Sequence, residues 1–244
     1  MHLFRALVFA AALAGGVAGL FVTAAHQLGT VPLILKAEVY EEAAVAAEGS
    51  ATAQHAGHRH EREHGDGGWK PRDGLERTAF TALADVLTGI GFALLLVAGF
   101  ALTGRAVGWR EGLLWGLAGF VAFTLAPSLG LSPEPPGVPV APLTPRQVWW
   151  AFTAASTAAG LGLLAFRRTP VAAVAAIVLL ALPHLVGAPP PPEAGTLVPS
   201  ALAHDFAVTV LLTSLGFWAL LGSVAALCYG RLTGGNVVAA PAVG

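Results

Sequence analysis

Apolar residues fall into six long runs separated by short polar or proline-rich stretches. Most of the runs approach the roughly 20 apolar residues that a helix needs to cross the hydrocarbon core of a bilayer. The runs cover approximately residues 3–25, 79–102, 112–130, 148–166, 171–186 and 203–229. This pattern predicts an all-α, polytopic transmembrane helix bundle with about six spans, or five if the first or the fifth run does not cross.

The runs divide the chain into four segments. We expect a first span (1–28), an outer loop rich in His and acidic residues (29–78), a five-span bundle (79–230) and a cytoplasmic tail (231–244). Within the loop, residues 32–42 predict a short interfacial helix, whereas 43–73 lack the apolar surface to fold alone. The first run is interpreted as a retained anchor rather than a cleaved signal, because it exceeds the usual apolar core of about 7–15 residues.

Composition supports a membrane protein and excludes several other classes. Hydrophobic residues make up 55% of the chain and charged residues only 11%, against about 25% charged in soluble domains. A net charge of −1 gives no sign of nucleic-acid binding. The single cysteine, Cys228, rules out a disulfide framework or a Cys-rich metal site.

Basic residues predict the orientation of the bundle. With a cytoplasmic N-terminus, the short inner segments carry Arg5, Arg105, Arg110, Arg167, Arg168 and Arg231. The two short outer loops, 131–147 and 187–202, carry only Arg146. The positive-inside rule therefore places both termini in the cytoplasm and the long 29–78 loop outside the cell membrane.

Candidate metal ligands concentrate on the predicted outer side. The 29–78 loop contains a histidine run with neighbouring acids, and the helix before it carries two further carboxylates on one face. These residues are His55, His58, His60 and His64, then Glu38 and Glu41. Imidazoles and carboxylates suit borderline divalent cations such as Co, Ni or Zn. We expect the histidine run to capture metal with modest affinity.

Ionisable residues inside spans are more informative, because burying them in lipid is costly. Asp85 lies about two turns into the second span, on a stripe shared with Thr81 and Thr88. His184, His204 and Asp205 lie at the outer ends of the last two spans. We predict that Asp85 passes the ion inward and that His184 and His204 are its partners. Asp205 belongs to the same convergent set, and His26 and Glu38 are open alternatives for it.

Small residues recur at helical spacing in three spans and predict close helix packing. They are Gly15 and Gly19 in the first span, Gly112, Gly116 and Gly119 in the third, and Ser156, Thr157 and Gly160 in the fourth.

The chain resembles the CbtA family of predicted cobalt transporter subunits. The resemblance rests on the basic start before the first span (4–7), the segment Pro-Leu-Ile-Leu-Lys-Ala-Glu-Val-Tyr-Glu (32–41), the His-rich acidic loop, and His-Asp-Phe (204–206). It implies cobalt uptake linked to cobalamin synthesis, beside a small single-span, His-bearing subunit, CbtB.

We therefore expect a non-enzymatic transporter subunit that carries Co²⁺, or Ni²⁺, and holds no permanent cofactor. Its expected partners are membrane lipid, the ion and the CbtB-like subunit. The alternative is a membrane haem or redox protein with His26, His184 and His204 as axial ligands. An intramembrane hydrolase is disfavoured, because the chain has no Gly-x-Ser-x-Gly motif.

Overall fold

The computed structural model describes residues 2–53, 72, 74–104 and 106–234, and within these ranges the regular secondary structure is helical throughout. The α-helices are α1 (His2–Ala25), α2 (Val31–Ala53), α3 (Leu75–Thr103), α4 (Trp109–Phe120), α5 (Ala126–Ser128), α6 (Leu143–Phe166), α7 (Pro170–Val186) and α8 (Ser200–Leu232). Two π-helical segments join neighbours without a break: π1 (His26–Thr30) links α1 to α2, and π2 (Val121–Leu125) links α4 to α5. The predicted all-α membrane bundle is confirmed.

Five continuous helical segments, here called rods, are long and apolar enough to cross a membrane. The first rod consists of α1, π1 and α2. The sixth candidate, α7, has 17 residues, or about 25 Å of helix, and falls just short of the roughly 30 Å hydrocarbon core. The prediction of six spans, or five, therefore holds. Several helices begin earlier than predicted: α3 begins at Leu75 instead of 79 and α6 at Leu143 instead of 148. Their first turns are polar and extend beyond the apolar runs.

The first span does not end near residue 28, as the sequence predicted. It continues through π1 into α2 and reaches Ala53. Two predictions were therefore wrong: there is no separate interfacial helix at 32–42, and residues 43–53 are helical and do not begin a loop. Pro32 cannot donate a backbone hydrogen bond, and the wider turn just before it, with Val31 N–H donating to the His26 carbonyl, lets the helix continue. The Ala- and Glu-rich stretch after it favours helix.

Glycines bring the central helices into close contact. A Cβ at Gly89 of α3 would lie 2.6 Å from the Gly15 carbonyl of α1, and one at Gly116 of α4 would overlap the Trp218 carbonyl of α8. On α6, Ser156, Thr157 and Gly160 are buried, and Gly160 lies against α7. The predicted small-residue packing is confirmed. In lipid such close van der Waals contact replaces the hydrophobic effect as the force between helices.

One end of the bundle gathers α2, the start of α3 and the 129–142 and 187–199 segments, and is called the loop face below. Here Thr196 Oγ1 donates a hydrogen bond of 2.7 Å to the Gly137 carbonyl. Gly137 also lies beside Glu41 and Val198. The opposite face carries the α3–α4 and α6–α7 connections and the end of α8.

Candidate intramembrane polar site

Asp85 faces the interface between α1 and α3. It lies ten residues after the start of α3 at Leu75, or about 15 Å along the helix axis. Its side chain is only 16% exposed. Thr23 Oγ1 lies 2.8 Å from Asp85 Oδ2 and 2.9 Å from the Gly19 carbonyl, so its hydroxyl can donate to either oxygen. The carboxylate is therefore held inside the bundle by a neighbouring helix.

His26, the first residue of π1, is the second partner of Asp85. Its Nδ1 atom lies 3.5 Å from Asp85 Oδ2, and its side chain is 31% exposed. The distance is long for a hydrogen bond, but it brings an imidazole nitrogen and a carboxylate oxygen to one point. Segments of π-helix recur at functional sites in proteins, and here π1 begins at the residue that meets the buried acid.

Polar contacts between the first helical rod and α3 continue toward the loop face. Gln27 Nε2 donates to Thr78 Oγ1 at 3.4 Å. Arg77 Nη2 lies 3.6 Å from Glu38 Oε1, with both side chains partly exposed. The whole row is called the polar seam and consists of Thr23, His26, Gln27, Glu38, Arg77, Thr78 and Asp85.

His204 and Asp205 line a separate open cleft of about 460 Å³ between π1, the start of α2 and the start of α8. Leu28 and Gly29 of π1 form part of its wall, with Pro32, Leu33, Val208 and Thr209. Because π1 also carries His26, this one short segment borders both the cleft and the Asp85 contact. Both His204 and Asp205 are exposed.

His184 and Glu41 occupy other parts of the loop face. His184 lies on α7, edge-on to Trp149 of α6 with ring centroids 6.1 Å apart. Glu41 lies on α2 beside Gly137. The histidine run of His55, His58, His60 and His64 lies outside the described residues.

The predicted partners of Asp85 were wrong. Neither His184 nor His204 lies within 4 Å of its carboxylate, which contacts His26 and Thr23 instead. Within residues 2–53, 74–104 and 106–234, three or more His, Cys, Asp or Glu side chains nowhere gather as a metal-binding group. His26 and Asp85 thus meet as a pair, without a third side chain of these types beside them in the described part of the chain.

The sequence analysis did not single out Thr23, and it named His26 only as an optional member of the set around Asp85. A signal was present, because Thr23, His26 and Gln27 follow the i, i+3, i+4 spacing that places side chains on one helix face. The roles of Glu38, Glu41, Asp85, His184, His204 and Asp205 as metal ligands stay predictions.

A multi-pass helical bundle with an inward-facing carboxylate and imidazole defines the class of the protein as a polytopic integral membrane protein with a polar site inside its helix packing. Intramembrane groups of this kind typically mark ion or substrate pathways.

The chain belongs to the CbtA family, described as probable cobalt transporter subunit, whose family model matches residues 4–230. The family is thus one of probable transporter subunits. No curated protein and no solved structure matches the chain.

Proposed function

We propose that this protein is the membrane subunit of an importer for a divalent transition metal, Co²⁺ foremost, and that His26 and Asp85 bind the ion within the membrane. The observation that carries the proposal is the 3.5 Å separation of His26 Nδ1 from Asp85 Oδ2. Metal–nitrogen and metal–oxygen bonds of about 2.0–2.2 Å place two ligands of one tetrahedral ion roughly 3.4 Å apart. The two atoms already have the spacing that a shared ion requires.

The energetics of the bilayer support the same interpretation. A carboxylate at the centre of a span costs on the order of 2.5–3.5 kcal/mol on insertion scales, and Asp85, about two turns in from the end of its apolar run, carries part of that cost. The contacts of Asp85 with Thr23 and His26 offset part of this cost. A bound cation offsets more, because a divalent charge beside Asp85 is attracted through a medium of low dielectric constant.

Thr23 is the supporting group of the proposed site. Its hydroxyl contacts the same Oδ2 atom that faces His26. Hydrogen bonds of this kind orient metal-ligating carboxylates and commonly change metal affinity about 10–100-fold when removed. Thr23 would therefore fix the carboxylate without touching the ion.

The loop face supplies the proposed entry route. His55, His58, His60 and His64 would concentrate the ion, Glu38, Glu41 and His184 would attract it, and His204 and Asp205 would receive it in the cleft beside π1. Support comes from π1 itself, which borders both this cleft and the Asp85 contact. Movement of π1 would connect the two.

The loop face is proposed to be the outer face. The opposite face carries exposed arginines at Arg110, Arg167, Arg168 and Arg231, which favours a cytoplasmic position by the positive-inside rule. In the half of the bundle next to that face, the membrane-crossing helices carry almost no ionisable residues within the described chain. A small single-span, His-bearing subunit of the CbtB type would supply ligands there.

Uptake of radioactive cobalt by cells expressing the protein, with and without a candidate small subunit, tests this function. Asp85→Asn keeps the shape of the side chain but removes the charge, and should reduce uptake at least about tenfold at low metal concentration, on the scale expected for a lost metal-site contact. Glu76→Gln on the same helix is the matched control, because within the described residues Glu76 pairs with exposed Arg72 and not with the polar site. Equal uptake by both variants at equal membrane abundance would refute the site.

The haem alternative stays a prediction. Its three histidines lie on π1, α7 and α8 at the loop face. An absorption spectrum of the purified protein, oxidised and reduced, would detect haem directly.

A further inference from the structure

A second cleft, unrelated to the polar seam, opens at the loop-face ends of α4–α5, α6 and α8. Its volume is about 540 Å³, within the roughly 300–1,000 Å³ typical of small-molecule sites. The walls combine polar and apolar side chains, among them Glu134, Arg146, Gln147, Phe206 and Val210.

Two opposite charges share this cleft without forming a direct ion pair. Glu134 and Arg146 both line it, yet no salt bridge of 4 Å or less joins them. Partial burial raises the pKa of the Glu134 carboxyl, and the Arg146 guanidinium offsets part of that rise. The space between the two groups therefore suits a ligand that carries one charge of each sign.

The depth of the cleft indicates an amphiphile. Glu134 lies in the 129–142 segment outside the spans and Arg146 in the first turn of α6. Phe206 and Val210 are placed one to three turns into the membrane-crossing helix α8. A ligand filling the cleft meets charge at one end and the apolar side chains of Phe206 and Val210 at the other.

We propose that this cleft binds a zwitterionic phospholipid whose head group carries a primary ammonium, as in phosphatidylethanolamine. The phosphate is recognised by Arg146 and Gln147, and the ammonium by Glu134, which can accept its N–H groups. The upper acyl chain lies against Phe206 and Val210. Arginine forks match phosphate oxygens well.

The same charges argue against two other occupants. The Arg146 guanidinium repels a divalent cation, so the cleft is not a branch of the proposed metal route. The Glu134 carboxylate opposes the head group of a purely anionic lipid. Phosphatidylcholine has the right charges, but its trimethylammonium cannot donate a hydrogen bond to the carboxylate.

Lipid binding to the delipidated protein in detergent, measured by native mass spectrometry, tests the proposal. The three arms are phosphatidylethanolamine, phosphatidylcholine and phosphatidylglycerol with matched acyl chains. The unmodified protein should bind phosphatidylethanolamine about tenfold more tightly than either other lipid, the size expected for one charge-assisted hydrogen bond. Equal binding of all three lipids by the unmodified protein, or a preference for phosphatidylglycerol, would overturn the proposal.

Two variants then locate the site. Glu134→Gln should abolish the preference for ethanolamine over choline, and Arg146→Gln should weaken both zwitterionic lipids. Glu193→Gln, an exposed acid in the neighbouring 187–199 segment, is the matched control and should leave the preference intact. A preference that survives both cleft variants would place the lipid elsewhere and refute the assignment.

Discussion

Replacement of Thr23 by valine is the sharpest test of the intramembrane site, because the two side chains have nearly the same shape. Thr23 is 9% exposed, and its hydroxyl lies 2.8 Å from Asp85 Oδ2. Valine removes that hydroxyl and leaves the packing of α1 against α3 almost unchanged. Any effect on transport then comes from the carboxylate.

The expected size follows from the contact. A hydrogen bond to a charged group contributes about 1.5–3 kcal/mol, which corresponds to roughly 10–100-fold in an equilibrium constant. If Thr23 holds Asp85 in the position that binds the ion, the half-saturating cobalt concentration for uptake should rise by that factor. Thr23→Ser, which keeps the hydroxyl, should restore most of the affinity.

Thr153→Val is the matched control for this experiment. Thr153 is also buried, and its hydroxyl donates only to the Trp149 carbonyl of its own helix at 2.9 Å. The assay is radioactive cobalt uptake over a range of concentrations, normalised to protein in the membrane. If Thr23→Val stays within about twofold of Thr153→Val, the scatter expected of independent sites, Thr23 does not support an ion site.

Three further predictions concern packing, charge and orientation. Gly89→Leu should destabilise the bundle by about 1–3 kcal/mol, because its Cβ would lie 2.6 Å from the Gly15 carbonyl. Gly91→Leu is the control and should not destabilise the bundle, because Gly91 faces open space. Thermal unfolding of the two variants in detergent tests this. Partial burial raises the pKa of the Glu134 carboxyl above its ordinary 4.5, so the folded state binds more protons than the unfolded state at pH values between 4.5 and the raised pKa. The free energy of unfolding should therefore fall as the pH rises from 4.5 through the raised pKa. Glu134→Gln should flatten this dependence, and an unchanged slope would contradict it. Cysteines placed in the 187–199 segment should react with an impermeant thiol reagent in intact cells, and protection there would reverse the proposed orientation.

The sequence predicted the bundle well because lipid imposes simple rules on it. Apolar run length located the spans, and small residues at helical spacing located Gly15 and Gly19 on a face of the first span that packs closely. Burial of Asp85 could likewise be predicted, since a carboxylate in a span must face protein or water. These inferences depend on composition and spacing within one helix.

The errors arose where the outcome depends on more than one helix. The sequence shows how deep a residue lies in the membrane, so it correctly placed His184 and His204 at the same end of the bundle. It does not show which helices are neighbours. In the structure α7 packs chiefly against α6, whereas α3 packs against α1, and Asp85 therefore meets His26. The extension of α2 was missed because a polar stretch was interpreted as loop, although its alanines and glutamates favour helix.

No residue pattern in the sequence predicted the two π-helical segments. A π-turn accommodates one extra residue, which turns everything beyond it by about 100° relative to a continuous α-helix. In the first rod this rotation occurs between His26, which meets Asp85, and Glu38, which meets Arg77. The close contact of Gly15 with Gly89 lies deeper in the same helix pair, in α1 rather than in π1. Because π1 lies between this packing and α2, His26 faces α3 at Asp85, while Leu28 and Gly29 face the cleft lined by His204 of α8.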